Sequence, residues 1–314
     1  MATSGTSSYT RNRDQIIKAA ARKIGAIEAG ETPDSEMVTD FAEALNAWVK
    51  HQQSLGNYIW QTVEATLFLQ QDQTRYVLGA TDHATESYVS TTLSAAALSG
   101  ATSLSITSAT GMSASDNVGI VLDDGSIHWT TISGAPSTTL TIASGLASAA
   151  ASGNLVFAYT TRIVRPLKIL AARRYNFASA IDTPIDVEDR ETYFDLPNKT
   201  NTGVPNLIFY DRRGGANSTG LLYTWQPQEV ITEAIKFTWA RPIQIFNVAG
   251  DDQDFPDEWV QTLQFNLALV MAPEFNVPEM KLARIEKMAA QYLADVTWNE
   301  RELGSVSFVP DMMR

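Results

Sequence analysis

A chain of 314 residues with 44% hydrophobic side chains is long enough for about two domains and apolar enough to pack cores, which excludes a wholly disordered protein. Its formal net charge of −12 excludes a broad surface that grips nucleic-acid phosphates, while leaving room for DNA to slide past an acidic wall. The absence of cysteine excludes disulfides, thiolate nucleophiles and cysteine-ligated zinc, and fits assembly in a reducing cytoplasm.

The first region, residues 1–81, opens on a small polar stretch, Met1 to Ser8, in which no secretory leader is expected. Thr10 and Asp14 suit a helix start, and Ile16, Ile17, Ala20, Ile24 and Ile27 recur at three- and four-residue steps. Gly25 and Gly30 weaken that helix at its end. Thr32-Pro33-Asp34-Ser35 interrupts the chain and offers caps for a second helix with Met37, Val38, Phe41, Leu45, Trp48 and Val49 on one face, stopped by Gly56-Asn57. Val63, Ala65, Leu67 and Leu69 then alternate with polar residues, which is strand periodicity.

Residues 82–161 differ in composition. No Lys or Arg stands between Arg75 and Arg162, and small residues dominate. Leu104-Ser105-Ile106-Thr107-Ser108 is echoed weakly by Leu140-Thr141-Ile142-Ala143-Ser144, and each copy follows a Ser-Gly-Ala triplet. Between them, two apolar runs flank Asp123-Asp124-Gly125, a hairpin signal. The expectation is an inserted all-β module.

The third region, residues 162–314, returns to mixed composition. Strands are expected at Lys168–Ala172, Leu207–Asp211, Leu221–Trp225 and Ala234–Ala240. Asp254-Phe255-Pro256-Asp257-Glu258 is a helix-start signal, followed by the stripe Trp259, Leu263, Leu267, Val270 and Met271. Pro273 and Pro278 bracket a break before a last helix through Ile285, Ala289 and Val296, and Leu303 to Arg314 reads as an extended tail. The expected fold class is therefore α+β: N- and C-terminal helices packed with a small antiparallel sheet, plus the inserted β-module.

Few residues point to chemistry. The histidines His51, His83 and His128 lie in three separate contexts, and no nucleophile elbow, Walker loop, dinucleotide fingerprint or zinc helix occurs, so no catalytic residue, cofactor or metal is expected. Asp251, Asp252 and Asp254 with Asp257 and Glu258 offer hard oxygen ligands, but they lack the glycine and distal glutamate of a calcium loop and read as caps at a helix N-terminus. Glu188 and Glu191, set among Asp186 and Asp189, could mimic paired carboxylates and read better as a solvated helix face. Arg173-Arg174 and Arg212-Arg213 are the basic clusters, expected to meet acids of a neighbouring subunit or the phosphates of a DNA channel. No apolar run is long enough for a membrane-spanning helix.

A series of stretches, in order, resembles the head-to-tail adaptor family of short-tailed bacteriophages, also called connector or tail tubular proteins A. They are Arg13-Asp14-Gln15-Ile16-Ile17, Ala21-Arg22-Lys23-Ile24-Gly25 and Gly30-Glu31-Thr32-Pro33, then Ala44-Leu45-Asn46 with Trp48. Further on come Arg165-Pro166-Leu167-Lys168-Ile169-Leu170, Ala172-Arg173-Arg174, Leu196-Pro197-Asn198-Lys199-Thr200, Gly203-Val204-Pro205 and Tyr223-Thr224-Trp225-Gln226-Pro227. The last are Arg241-Pro242-Ile243, Asp254 to Trp259, Asn266-Leu267-Ala268 and Ala272-Pro273-Glu274. The β-module departs from the minimal family pattern.

The resemblance implies a homo-oligomeric ring, usually of twelve copies, between portal protein and tail nozzle protein, at the head–tail junction of a virion assembled in the host cytoplasm. Double-stranded DNA would pass through its centre without sequence-specific binding. The C-terminal segment would reach toward the portal; in this sequence Val306, Phe308, Val309 and Pro310 offer apolar anchors for that contact or, equally, for packing on the subunit's own helices. Two other readings stand beside it. One is a tail or adhesin-type binding protein whose β-module holds a host glycan, with Trp129, Tyr88, Phe157 and Tyr159 as its aromatics. The other is a metal-dependent hydrolase built on Asp251, Asp252 and Asp254.

Overall fold

The computed structural model describes residues 5–56, 59–213, 219–228 and 233–300. The chain divides into two compact units, one made of 1–61 with 243–314, the other of 62–242.

The first unit is helical. α1 (Arg13–Ile24) starts on a capping box in which Asn12 accepts from the Gln15 amide and Gln15 returns the bond, and Gly25 closes it by donating to the Ala21 and Arg22 carbonyls. α2 (Ser35–Leu55) is capped by Asp34, which accepts from the Met37 amide. A 3-10 turn at Asp257–Trp259 leads into α4 (Val260–Met271), and α5 (Glu279–Asn299) follows after the break at Pro273 and Pro278. α4 is the centre. Leu263, Leu267, Ala268 and Met271 are all buried with Ile16, Ile17 and Ala20 of α1, Phe41 and Leu45 of α2 and Ile285 of α5. Trp48, Trp60, Phe255 and Trp259 close one end as an aromatic group with ring centroids 5.0–6.5 Å apart.

The second unit is built of strands. β1 (Thr62–Phe68), β2 (Arg75–Leu78), β3 (Ala84–Thr85), β10 (Lys168–Asn176), β11 (Ile181–Glu188), β12 (Leu207–Asp211), β13 (Gly220–Trp225) and β14 (Glu233–Ala240) form one sheet in the order β2-β13-β12-β11-β10-β14-β1-β3. All pairings are antiparallel except β11 with β12, which a short helix, α3 (Arg190–Asp195), connects. The two ends of that order, β2 and β3, are joined by the short stretch 79–83, so the sheet is nearly closed and barrel-like. Leu67, Tyr76, Ile169, Ile208, Leu222, Phe237 and Trp239 fill its core.

This corrects the expectation of helices packed with a small antiparallel sheet. The chain is strand-rich, the sheet has eight strands, and the helices have a core of their own. The physical reason lies in two places. α4 is buried nearly all round, Thr262, Gln264 and Asn266 included, so it supplies the apolar surface that α1, α2 and α5 need. The sheet also recruits polar segments. β11, Ile-Asp-Thr-Pro-Ile-Asp-Val-Glu, sets Ile181, Thr183, Ile185 and Val187 on one face and Asp182, Pro184, Asp186 and Glu188 on the other, and Ala172 to Asn176 pair with it over five residues.

The module between β3 and β10 carries a separate core around Leu93, Leu104, Ile106, Val118, Leu140, Ile142 and Val156. β4 (Val89–Thr92), β5 (Ser103–Ser105) and β6 (Asn117–Val121) recur as β7 (Ile127–Thr131), β8 (Thr139–Thr141) and β9 (Leu155–Tyr159). The two copies are related by a pseudo-two-fold axis. β5 pairs with β8, Leu104 opposite Leu140, and β6 pairs antiparallel with β9 around Gly119 and Phe157. The equivalence reaches single hydrogen bonds. Thr107 N–H to Thr92 O matches Ala143 N–H to Thr131 O, both 2.9 Å. Ser108 N–H to Thr91 Oγ1 at 3.2 Å matches Ser144 N–H to Thr130 Oγ1 at 3.1 Å. Gly153, at φ 94°, has Ser115 as its counterpart, held at φ 70°. The module's two ends meet: Ile163 N–H donates to Ala84 O at 2.9 Å and Thr85 Oγ1 to Thr161 O at 2.8 Å.

Candidate functional site

Most of the charged groups singled out by sequence are engaged in their own unit. Arg173 sits on β10 and bonds Glu64 of β1, reaching over β14, and also Asp182 of β11 at 3.2 Å. Glu64 raises its pKa further above the ordinary guanidinium value. Arg174, next on the strand, pairs with Glu233 at 2.9 Å and donates to Pro205 O. Arg213 shares Asp211 with Arg190 of α3. Arg212 stands exposed after β12 and lines an open cleft of about 400 Å³ with Lys168, Glu188, Asp189 and Tyr210. Tyr210 spans part of this cleft, donating its hydroxyl to Pro166 O at 2.7 Å, and burial raises its pKa.

The carboxylates are turn-formers. Asp251 Oδ2 accepts from the amides of Asn247 and Val248, which holds its carboxyl below the usual range, and Arg13 nearby adds to the effect. Asp254 accepts from Gln244 N–H at 2.8 Å, Asp257 from Tyr9 N–H, and Asp252 lies in a bridge with Asn12. Among the described residues, no group of three or more His, Asp or Glu side chains is placed to hold a metal. Glu188 ends β11 and Glu191 lies in the first turn of α3, with Asp189 as the N-cap between them, so the two do not share the helix face expected of them. Val306, Phe308, Val309 and Pro310 lie outside the described residues.

The densest constellation is one that sequence reasoning treated only as scattered aromatics. Phe68, at the end of β1 and 1% exposed, is ringed by Tyr88, Trp129, Phe157, Tyr159 and Phe177 with centroids 4.8–6.4 Å away. This cluster joins the β-module to the eight-stranded sheet. Trp129 lies over Gly119, where a Cβ would meet the indole at 2.7 Å, so only glycine allows that close approach across the β6–β7 pair. The indole also stacks on His83, centroids 3.7 Å apart and 6° from parallel. His83 Nδ1 is 2.6 Å from the Tyr159 hydroxyl, which also interacts with the Arg162 guanidinium. The hydroxyl and Nδ1 share one hydrogen, and the imidazole tautomer sets which of them donates. Burial, aided by the Arg162 charge, lowers the His83 pKa to about 3, and burial raises Tyr159 to about 12. The imidazole is therefore neutral at neutral pH, and His83, Tyr88 and Trp129, each partly buried, pack with the buried Phe68, Phe157 and Tyr159 as a joint between the module and the sheet. The signal that could have found it is His83 and Arg162 standing at the two ends of the module, beside its edge aromatics.

The chain matches no protein-family model and no curated protein. No helix among the described residues is long and apolar enough to cross a membrane.

Proposed function

We propose that this chain is a structural ring subunit without catalytic activity, the adaptor that joins portal to tail nozzle in a short-tailed bacteriophage and surrounds the DNA as it leaves. The observation that carries the reading is the ordered series of stretches from Arg13 to Glu274 that resembles that adaptor family. Two features support it. The matched stretches occupy load-carrying places: α1 and its cap, Trp48 in the helical core, the start of β10, and the turn into α4. The carboxylates and arginines that could have served chemistry are engaged instead as backbone caps and ion pairs within the chain. The acidic net charge suits a wall past which DNA slides.

The adhesin reading is less well supported, because Trp129, Tyr88, Phe157 and Tyr159 pack against Phe68 instead of forming an open aromatic platform. The test is co-sedimentation and negative-stain imaging of the purified chain with portal and nozzle proteins of the same virion. The expected result is a ring seated on the portal. Failure to bind either protein, or a hydrolase activity lost on changing Asp251, Asp252 and Asp254 to Asn, overturns the reading.

A further inference from the structure

α5 has two faces. Ile285, Ala289 and Val296 point into the first unit, whereas Met280, Ala283, Arg284 and Lys287 are exposed, Met280 at 88%. Within the same unit, α2 and the end of α4 bound a groove of about 600 Å³. Asp40, Glu43 and Glu274 line it together with Ala44, Ala47, Val270, 46% exposed, and the buried Met271. Among the described residues, none of these three acids and neither Arg284 nor Lys287 is in an ion pair. One chain therefore displays a basic stripe headed by an exposed methionine and an acidic groove lined by two alanines.

The two surfaces also match in register. Asp40, Glu43, Ala44 and Ala47 follow one another at steps of three, one and three residues, and so do Met280, Ala283, Arg284 and Lys287. Laid antiparallel, α5 sets Met280 opposite Ala47, Ala283 opposite Ala44, Arg284 opposite Glu43 and Lys287 opposite Asp40. Each pair of like charges is one helical turn apart, so both opposite-charge contacts form together. The facing alanines let the helix backbones approach closely, and the flexible methionine fills the space beside Val270.

We propose that α5 of one copy docks antiparallel in the α2–α4 groove of a second copy of this chain. This rests on the ring-subunit reading and names its side-to-side contact. The surfaces are different patches of one chain, so the contact is heterologous. Each copy keeps one open groove and one open helix, and repetition closes into a ring when the rotation divides the circle.

The lack of cysteine makes the contact directly testable in the full chain. Met280→Cys and Ala47→Cys are prepared separately, mixed, and treated with a short bismaleimide. The docking contact gives covalent dimers in the mixture and not in either preparation alone. In a second arm, Arg284→Glu with Lys287→Glu, and separately Asp40→Lys with Glu43→Lys, each weaken self-association by about tenfold or more in sedimentation velocity, since like charges then face each other. Mixing the two double variants restores assembly, because each stripe then meets a groove of opposite sign. Copies that associate without the 47–280 crosslink overturn this contact and leave the ring reading standing. A wild-type chain that stays monomeric at every concentration also overturns it, and co-assembly with portal then decides the adaptor reading by itself.

Discussion

His83 makes the joint between the β-module and the large sheet sensitive to acid. Its folded pKa of about 3 lies below the ordinary histidine value near 6.5, so the fold prefers the neutral ring. The contribution is fully present above the unfolded pKa. It is lost as pH falls from about 6.5 toward about 3, because the unfolded chain takes up a proton that the stacked, partly buried ring refuses. The upper limit is about 1.4 kcal/mol per pH unit, and because the ring is only partly buried we halve it, giving about 1 kcal/mol between pH 6.5 and 5. His83→Phe keeps a ring against Trp129 but cannot titrate. It forfeits the Tyr159 hydrogen bond equally at every pH, so the slope and not the absolute stability carries the information. Urea denaturation of the strand-rich unit, followed by circular dichroism between about pH 7.5 and about pH 5, reads the slope in a range where most carboxylates stay ionised. The expected result is a fall in the wild type that is about 1 kcal/mol larger than in the variant. Equal slopes in the two proteins, or a His83 titration near 6.5 by NMR, would refute the reasoning.

Other expectations follow from the same packing. Ser115→Gly relieves a left-handed residue that its two-fold counterpart fills with glycine, and is expected to raise stability by up to about 1 kcal/mol, whereas Gly153→Ser lowers it by a similar amount in thermal melts. Leu104→Ala and Leu140→Ala, which face each other across the axis, each cost about 2–5 kcal/mol and agree to within about 1 kcal/mol; a large asymmetry would argue against equivalence of the two halves. Arg174→Ala breaks a pair whose side chains are 19% and 12% exposed and is expected to cost about 1–3 kcal/mol, against less than about 1 kcal/mol for the exposed Arg213→Ala, both read by urea melts.

Periodicity made the helices and most core strands legible. Met37, Phe41, Leu45, Trp48 and Val49 form a helical face, and Leu207–Asp211 is a strand of those same bounds in the structure. The hairpin around Asp123-Asp124-Gly125 was equally readable, because turn chemistry is local. What stayed hidden depends on distant partners. β11 alternates Ile181, Thr183, Ile185 and Val187 with polar residues, but Pro184 interrupts the pattern, and only the pairing with β10 and β12 makes Asp186 and Glu188 strand residues and not part of a helix face. The weak repeat at Leu104 and Leu140 announced one pair of strands, but not that the third strands, β6 and β9, repeat as well, since Asn117–Val121 and Leu155–Tyr159 share little beyond apolar character. The joint around Phe68 escaped notice for a similar reason. Its members come from β1, β7, β9, Tyr88 and Phe177, and in the sequence only His83 and Arg162 at the two ends of the module mark it.

The pinned ends of the module bear on how the chain could have acquired it. Because Ala84 and Ile163 are hydrogen-bonded neighbours, the host sheet experiences the whole excursion between them as if it were a tight hairpin. Closing a long flexible loop would carry an entropic penalty, but a folded body whose two termini already touch adds almost none. The location therefore works as a socket. The strand order around it needs only that the graft's termini be adjacent, whereas the stability of the host also depends on the graft covering Phe68.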